Sequence, residues 1–157
     1  MKKSVLVLLT FVPLIVGHII NISIRIPVIG MIIFYVLPLL TTVFWFYLGR
    51  QYARSTWKII PALFIGNATG VVSLLIYLWQ YLFKTDETRN VVLMSVAQMF
   101  SDATPTYLLG RIAILFETQP NYIASSTFMV ALNVISFVYI VVVFLFGFIW
   151  EKKTKKM

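Results

Sequence analysis

Four long apolar stretches divide the chain, and the charged residues lie between them and at the two ends. The stretches comprise residues 4–24, 27–48, 59–83 and 123–150, and they contain no Asp, Glu, Lys or Arg. A helix of about 20 apolar residues crosses the hydrocarbon of a bilayer, which is about 30 Å thick, because it rises about 1.5 Å per residue. The pattern therefore predicts an all-α integral membrane protein, a bundle of four transmembrane helices in one domain of residues 1–157.

A less apolar segment, residues 90–119, separates the third stretch from the fourth and predicts two short amphipathic helices. Proline disfavours helical geometry in the residue before it and suits a first helical turn, so one helix should end near Asp102 and another should begin at Pro105. In the first of them, Ser95, Gln98 and Ser101 recur every third residue and predict a polar face. Each half has about 14 residues, which is too short to cross a bilayer.

This broken helix has two possible placements. It either lies flat over the outer face of the bundle, with its apolar sides in the lipid boundary, or re-enters as a hairpin packed between the spans. We expect the flat cap, because Asp102 would stand at the tip of a hairpin and a carboxylate there needs a buried partner.

Composition agrees with a membrane protein. Hydrophobic residues make up 61% of the chain and charged residues 11%, against about half and a quarter in soluble domains. The net charge of +8 comes from short basic clusters beside the apolar stretches, which is how membrane proteins carry positive charge and argues against nucleic-acid binding. Because there is no cysteine, disulfides, thiolate metal sites and cysteine nucleophiles are excluded.

The distribution of basic residues predicts the orientation, because short cytoplasmic loops are enriched in Lys and Arg. With the N-terminus inside, nine basic residues lie on the inner side and four on the outer side. The inner set is Lys2, Lys3, Arg50, Arg54, Lys58, Lys152, Lys153, Lys155 and Lys156, and the outer set is Arg25, Lys84, Arg89 and Arg111. Both termini are thus expected in the cytoplasm, with the chain in the cell (plasma) membrane.

The tryptophans agree with these boundaries. Each of them, Trp45 included, lies near an end of a predicted span. Tryptophan prefers the headgroup level of a bilayer, where its apolar ring and its polar N–H are both satisfied. We therefore expect these rings near the membrane surface.

Six polar residues at the outer level are candidates for binding a ligand or a partner. His18, Asn21 and Arg25 are spaced by three and four residues and share one ridge of the first predicted helix. Asp102, Arg111 and Glu117 belong to the broken helix and would line an outward-facing pocket. A lone histidine with an asparagine one turn away is also typical of ordinary hydrogen bonding between membrane helices.

Polar and small residues inside the apolar stretches predict contacts between helices. Asn67, Asn133 and Ser136 are expected to form interhelical hydrogen bonds, and with His18 the two asparagines would alternatively line a polar path. Gly66, Gly70 and Ser73 form a small-residue face on which two helices can approach closely. This face would meet another helix of the chain or a second copy in a homodimer.

At the predicted inner face, Arg50, Arg54 and Lys58 recur at spacing four, as on one face of a helix. They would bind anionic lipid headgroups, or they serve only to orient the chain in the bilayer.

No catalytic or metal-binding motif stands out, and no cofactor is predicted. We therefore expect a non-catalytic accessory, regulatory or binding subunit that acts through its extracytoplasmic segment on a lipid or a partner membrane protein. The first alternative is a small oligomeric transporter or channel with a polar path near His18, Asn67 and Asn133. The second is a lipid-modifying enzyme, which would require His18 close to Asp102 or Glu117.

Overall fold

All regular structure in the computed structural model, which describes residues 2–55, 57–118 and 125–154, is helical. The helices are α1 (Lys3–Leu9), α2 (Val12–Ser23), α3 (Ile29–Arg54), α4 (Ile59–Gly66), α5 (Ala68–Phe83), α6 (Val91–Asp102), α7 (Thr106–Ala113), which continues into a 3-10 turn (Ile114–Phe116), and α8 (Ser126–Thr154). The prediction of an all-helical chain is confirmed for these residues. The start of the fourth apolar stretch, at 123–124, residue 119 of the broken helix, and Lys155 and Lys156 lie outside them.

Three helical segments are long and apolar enough to cross a membrane. They are α1 with α2, α3, and α8, and a fourth is counted if α4 and α5, which are bent by 54°, form one span. The elements are therefore compatible with a membrane protein and follow the four apolar stretches of the sequence.

Two of these segments are interrupted for identifiable reasons. The break between α1 and α2 directly precedes Pro13, which lies in the first turn of α2 and has no N–H to continue a helix. The bend between α4 and α5 lies at Asn67, whose side-chain amide donates to the Leu63 carbonyl and accepts from the Trp45 indole N–H at 3.1 Å. Trp45 was expected near a membrane surface, yet it is fully buried in the core.

Helices α3 and α8 lie side by side and run in the same direction, since Thr42 contacts Tyr139 and Arg54 contacts Glu151 further along both. Glycine allows their backbones to approach closely, because a Cβ added at Gly147 would overlap a carbonyl oxygen of α3. The core next to this pair contains Leu6, Trp45, Leu48, Tyr52, Phe100, Ile140 and Phe144.

The broken helix does not simply cover one face of the bundle, because α6 and α7 form a hairpin in which α6 packs between α2 and α5 and α7 packs along α8. The ring of Phe100, near the end of α6, packs against Gly70 and against Trp45, with 6.2 Å between the two ring centroids. The turn after α6 is fully buried, and the hydroxyl oxygens of Thr104 and Ser136 lie 3.1 Å apart. The predicted break at Pro105 is confirmed, since α6 ends at Asp102 and α7 begins at Thr106.

The small-residue face of the third apolar stretch packs within the chain. A Cβ at Gly66 would overlap the ring of Phe144, and a Cβ at Gly70 would overlap the ring of Phe100. Ser73 is also buried. Of the two expected partners for this face, the structure therefore supplies helices of the same chain, α8 and α6, and leaves no room there for a second copy.

Candidate ligand-binding groove

A groove of about 480 Å³ lies between α2 and α6 on the side of the bundle. Its polar lining consists of His18, Asn21, Arg25, Ser95, Gln98 and Asp102. Four of these residues were sequence candidates, and the structure brings them together from two segments about 80 residues apart in the chain. We call this feature the α2–α6 groove.

The wall formed by α2 follows from its helical periodicity. His18, Asn21 and Arg25 lie on one ridge that ends just past the helix, and all three are exposed. Gly17 precedes them and packs against the backbone of α6, because an added Cβ there would overlap the Met99 carbonyl oxygen. The absence of a side chain at Gly17 thus sets the separation of the two walls.

The wall formed by α6 is its polar face, which is opposite the buried side chain of Phe100. Ser95, Gln98 and Asp102 line the groove, whereas Ser101 is buried and donates to the Gln98 carbonyl at 2.9 Å. The predicted polar face is therefore present, with Asp102 rather than Ser101 as its last member.

Asp102 has the partner that a carboxylate between helices requires. The side-chain amide of Asn21 donates to Asp102 Oδ2 at 3.0 Å. Within the described residues Asp102 forms no ion pair, and Arg25 on the opposite wall forms none either. The groove therefore presents one acid and one base whose charges are not paired with each other.

The structure brings Asp102 into this groove but not Arg111 or Glu117, which were predicted to share a pocket with it. Arg111 is exposed on α7. Glu117 lies beyond the 3-10 turn, where its carboxylate accepts from the backbone N–H of Ser125 at 3.0 Å. The separation arises because α7 turns along α8, while Asp102 faces α2.

The polar residues in the apolar helices occupy separate places. Asn67 is bound to Trp45, and Ser136 pairs with Thr104, as expected for hydrogen bonds between helices. The Asn133 amide donates within its own helix to the Met129 carbonyl at 2.9 Å. His18 lies at the surface groove, so His18, Asn67 and Asn133 do not form a common polar path.

A lipid-modifying enzyme would require His18 close to Asp102 or Glu117, and the structure meets this requirement only in part. His18 and Asp102 line the same groove, but no hydrogen bond joins them and the carboxylate is bound by Asn21. The described part of the chain has no group of three potential metal ligands.

The predicted basic face of Arg50, Arg54 and Lys58 is interrupted. Helix α3 ends at Arg54, and Lys58 precedes the first residue of α4. Both arginines bind Glu151, with Nε–carboxylate distances of 2.9 Å for Arg50 and 2.7 Å for Arg54.

No protein-family model, curated protein or solved structure matches this chain. The functional argument therefore proceeds from the geometry of the groove.

Proposed function

We propose that the chain is a non-catalytic integral membrane protein, with four spans and cytoplasmic termini, that binds a small zwitterionic ligand in the α2–α6 groove. It would serve as a binding or accessory subunit on the outer side of the membrane. The observation that carries this proposal is the presence of Arg25 and Asp102, unpaired with each other, on the two walls of one groove.

The charges of the groove indicate the chemistry of the ligand. The guanidinium of Arg25 suits a carboxylate or a phosphate, because its planar N–H groups match their oxygens. The carboxylate of Asp102 suits an ammonium group, since an ionised carboxylate only accepts hydrogen bonds. With one charge of each sign, the groove favours a ligand that is neutral overall and carries both groups, such as the phosphoethanolamine headgroup of a lipid or a free amino acid.

Binding accounts for the site better than catalysis does. A nucleophile or a general base is normally oriented by a second group, and His18 has no hydrogen-bond partner among the described residues. Amides and hydroxyls such as Asn21, Gln98 and Ser95 donate and accept hydrogen bonds, which supports recognition of a polar ligand.

The first test is calorimetric titration of the purified protein in detergent with glycerophosphoethanolamine. Glycerophosphoglycerol, which has the phosphate but not the amine, is the comparison ligand. We expect tighter binding of glycerophosphoethanolamine, and Asp102→Asn should lower its affinity about tenfold and remove the preference, because charge-assisted hydrogen bonds are the stronger ones. Arg25→Gln should weaken both ligands.

Arg111→Gln is the matched control, because it removes a basic residue that is exposed outside the groove. Unchanged affinity in Arg25→Gln and Asp102→Asn, or equal affinity for the two ligands, would refute the proposal. Binding of glycine without binding of glycerophosphoethanolamine would assign the groove to a free zwitterion rather than to a lipid headgroup.

A further inference from the structure

A second cleft lies at the C-terminal end of α8, where the last turns of that helix pass the start of α4. It has a volume of about 180 Å³ and is lined by Ile59, Phe148, Ile149, Lys152 and Lys153. Three apolar side chains line its interior, and two exposed lysines stand beside them. A surface with this combination is suited to an amphiphile that carries negative charge.

Within the described part of the chain, no acid neutralises the lysines of this cleft. Glu151 is the one acid near them, and it is only 4% exposed because both its oxygens accept from Arg50 and Arg54. The other four acids of the chain, Asp86, Glu87, Asp102 and Glu117, all precede α8 and lie toward the far end of the bundle. Lys152 and Lys153 consequently form no ion pair within the described residues.

The apolar side of the cleft also contacts one of the lysines. The Lys152 ammonium lies over the Phe148 ring, 5.8 Å from its centroid, which is a cation–π contact. Ile149 keeps 39% of its surface exposed beside it. An ammonium group and free apolar surface are therefore adjacent.

We propose that this cleft binds an anionic phospholipid, with the phosphate at Lys152 and Lys153 and the first part of an acyl chain on Ile59, Phe148 and Ile149. Lysine is a compact point charge that binds phosphate without a fixed geometry, and each basic residue near a membrane surface contributes about 1 kcal/mol to the attraction of anionic lipid. The site differs from the predicted set of Arg50, Arg54 and Lys58, because both arginines bind Glu151, whose one negative charge offsets half of their positive charge.

The cleft shares no lining residue with the α2–α6 groove. Each proposal can therefore fail without the other.

The test is native mass spectrometry of the purified protein in detergent with added phosphatidylglycerol or phosphatidylcholine of the same acyl chains. We expect one phosphatidylglycerol to be retained in preference to phosphatidylcholine. Lys152→Gln combined with Lys153→Gln should lower its retention about thirtyfold, since two favourable charges are lost. Lys2→Gln combined with Lys3→Gln removes the same charge outside the cleft and should leave retention nearly unchanged.

Two outcomes would overturn the proposal. An equal loss of retention in both double variants would mean diffuse attraction to the basic residues rather than a site. Full displacement of phosphatidylglycerol by glycerol 3-phosphate would mean that the lysines bind free phosphate and that the apolar surface contributes nothing. Because both lysines are exposed, we expect the variants to unfold at the same temperature as the unchanged protein. Equal unfolding temperatures would verify that a loss of lipid retention arises at the cleft and not from misfolding.

Discussion

Gly17 is the residue that brings the two walls of the α2–α6 groove together. A methyl group at this position would overlap the carbonyl oxygen of Met99 in the backbone of α6. Backbone cannot rotate away as a flexible side chain does, so the helices would have to separate. His18, the next residue along α2, would then move relative to Asp102.

We expect Gly17→Ala to lower the free energy of unfolding by about 1–3 kcal/mol, the usual cost of overpacking, and to weaken ligand binding in the groove. Gly110→Ala is the matched control, because an added Cβ would lie 4.0 Å from the ring of Phe128, an ordinary van der Waals separation. Denaturant or thermal unfolding in detergent measures both variants. Equal effects of the two substitutions would show that Gly17 does not govern the approach of α2 to α6.

Sequence reasoning placed His18, Asn21 and Arg25 on one ridge and Asp102 in a distant segment, but it did not predict that the ridge faces Asp102. Periodicity reports which residues share a face of one helix, and it does not report which helix that face meets. The same limit explains Trp45, which was expected near a membrane surface. Its indole N–H binds the buried Asn67 side chain, a partner 22 residues away.

Among the elements, the α6–α7 hairpin is where sequence and structure differ most. Its two helices and the break at Pro105 were predictable, because proline acts locally. Its insertion was not predictable, because an amphipathic helix can place its apolar face in lipid or against other helices. Two features favour packing against other helices. Gly70 leaves room for Phe100, and Thr104 pairs with Ser136.

The insertion can be tested with paired cysteines in this naturally cysteine-free chain. Thr104→Cys with Ser136→Cys should form a disulfide on mild oxidation in membranes, because the two hydroxyl oxygens are 3.1 Å apart and a disulfide requires neighbouring Cβ atoms. After denaturation, polyethylene-glycol maleimide should shift the protein on a gel only when reductant is added. Arg111→Cys with Ser136→Cys is the control pair and should stay reduced.

A disulfide in the control pair at the same rate, or none in the test pair, would place the turn outside the bundle. Either result would favour the flat placement of the broken helix over the outer face of the bundle.

At the scale of the molecule, the two ends of the bundle differ in charge. Helices α3 and α8 run in the same direction, so Arg50, Arg54, Lys152 and Lys153 lie at one end. The loop between α5 and α6 lies at the other end and carries Lys84 and Arg89 together with Asp86 and Glu87. This difference could be predicted from the sequence. The positions of the charged residues between the four apolar stretches fix the end at which each charge lies, and they do not depend on how the helices pack.

We expect the basic end to face the cytoplasm, since positively charged segments are retained on that side during insertion. Glu87→Cys should react with a membrane-impermeant maleimide added to intact cells, and Lys153→Cys should react only after the membrane is permeabilised. Both side chains are exposed, so burial within the protein cannot protect them and a difference in labelling reports sidedness. The reverse pattern would place the α2–α6 groove toward the cytoplasm and the lysine cleft in the outer leaflet, where anionic phospholipid is scarcer and the second proposal would lose its ligand.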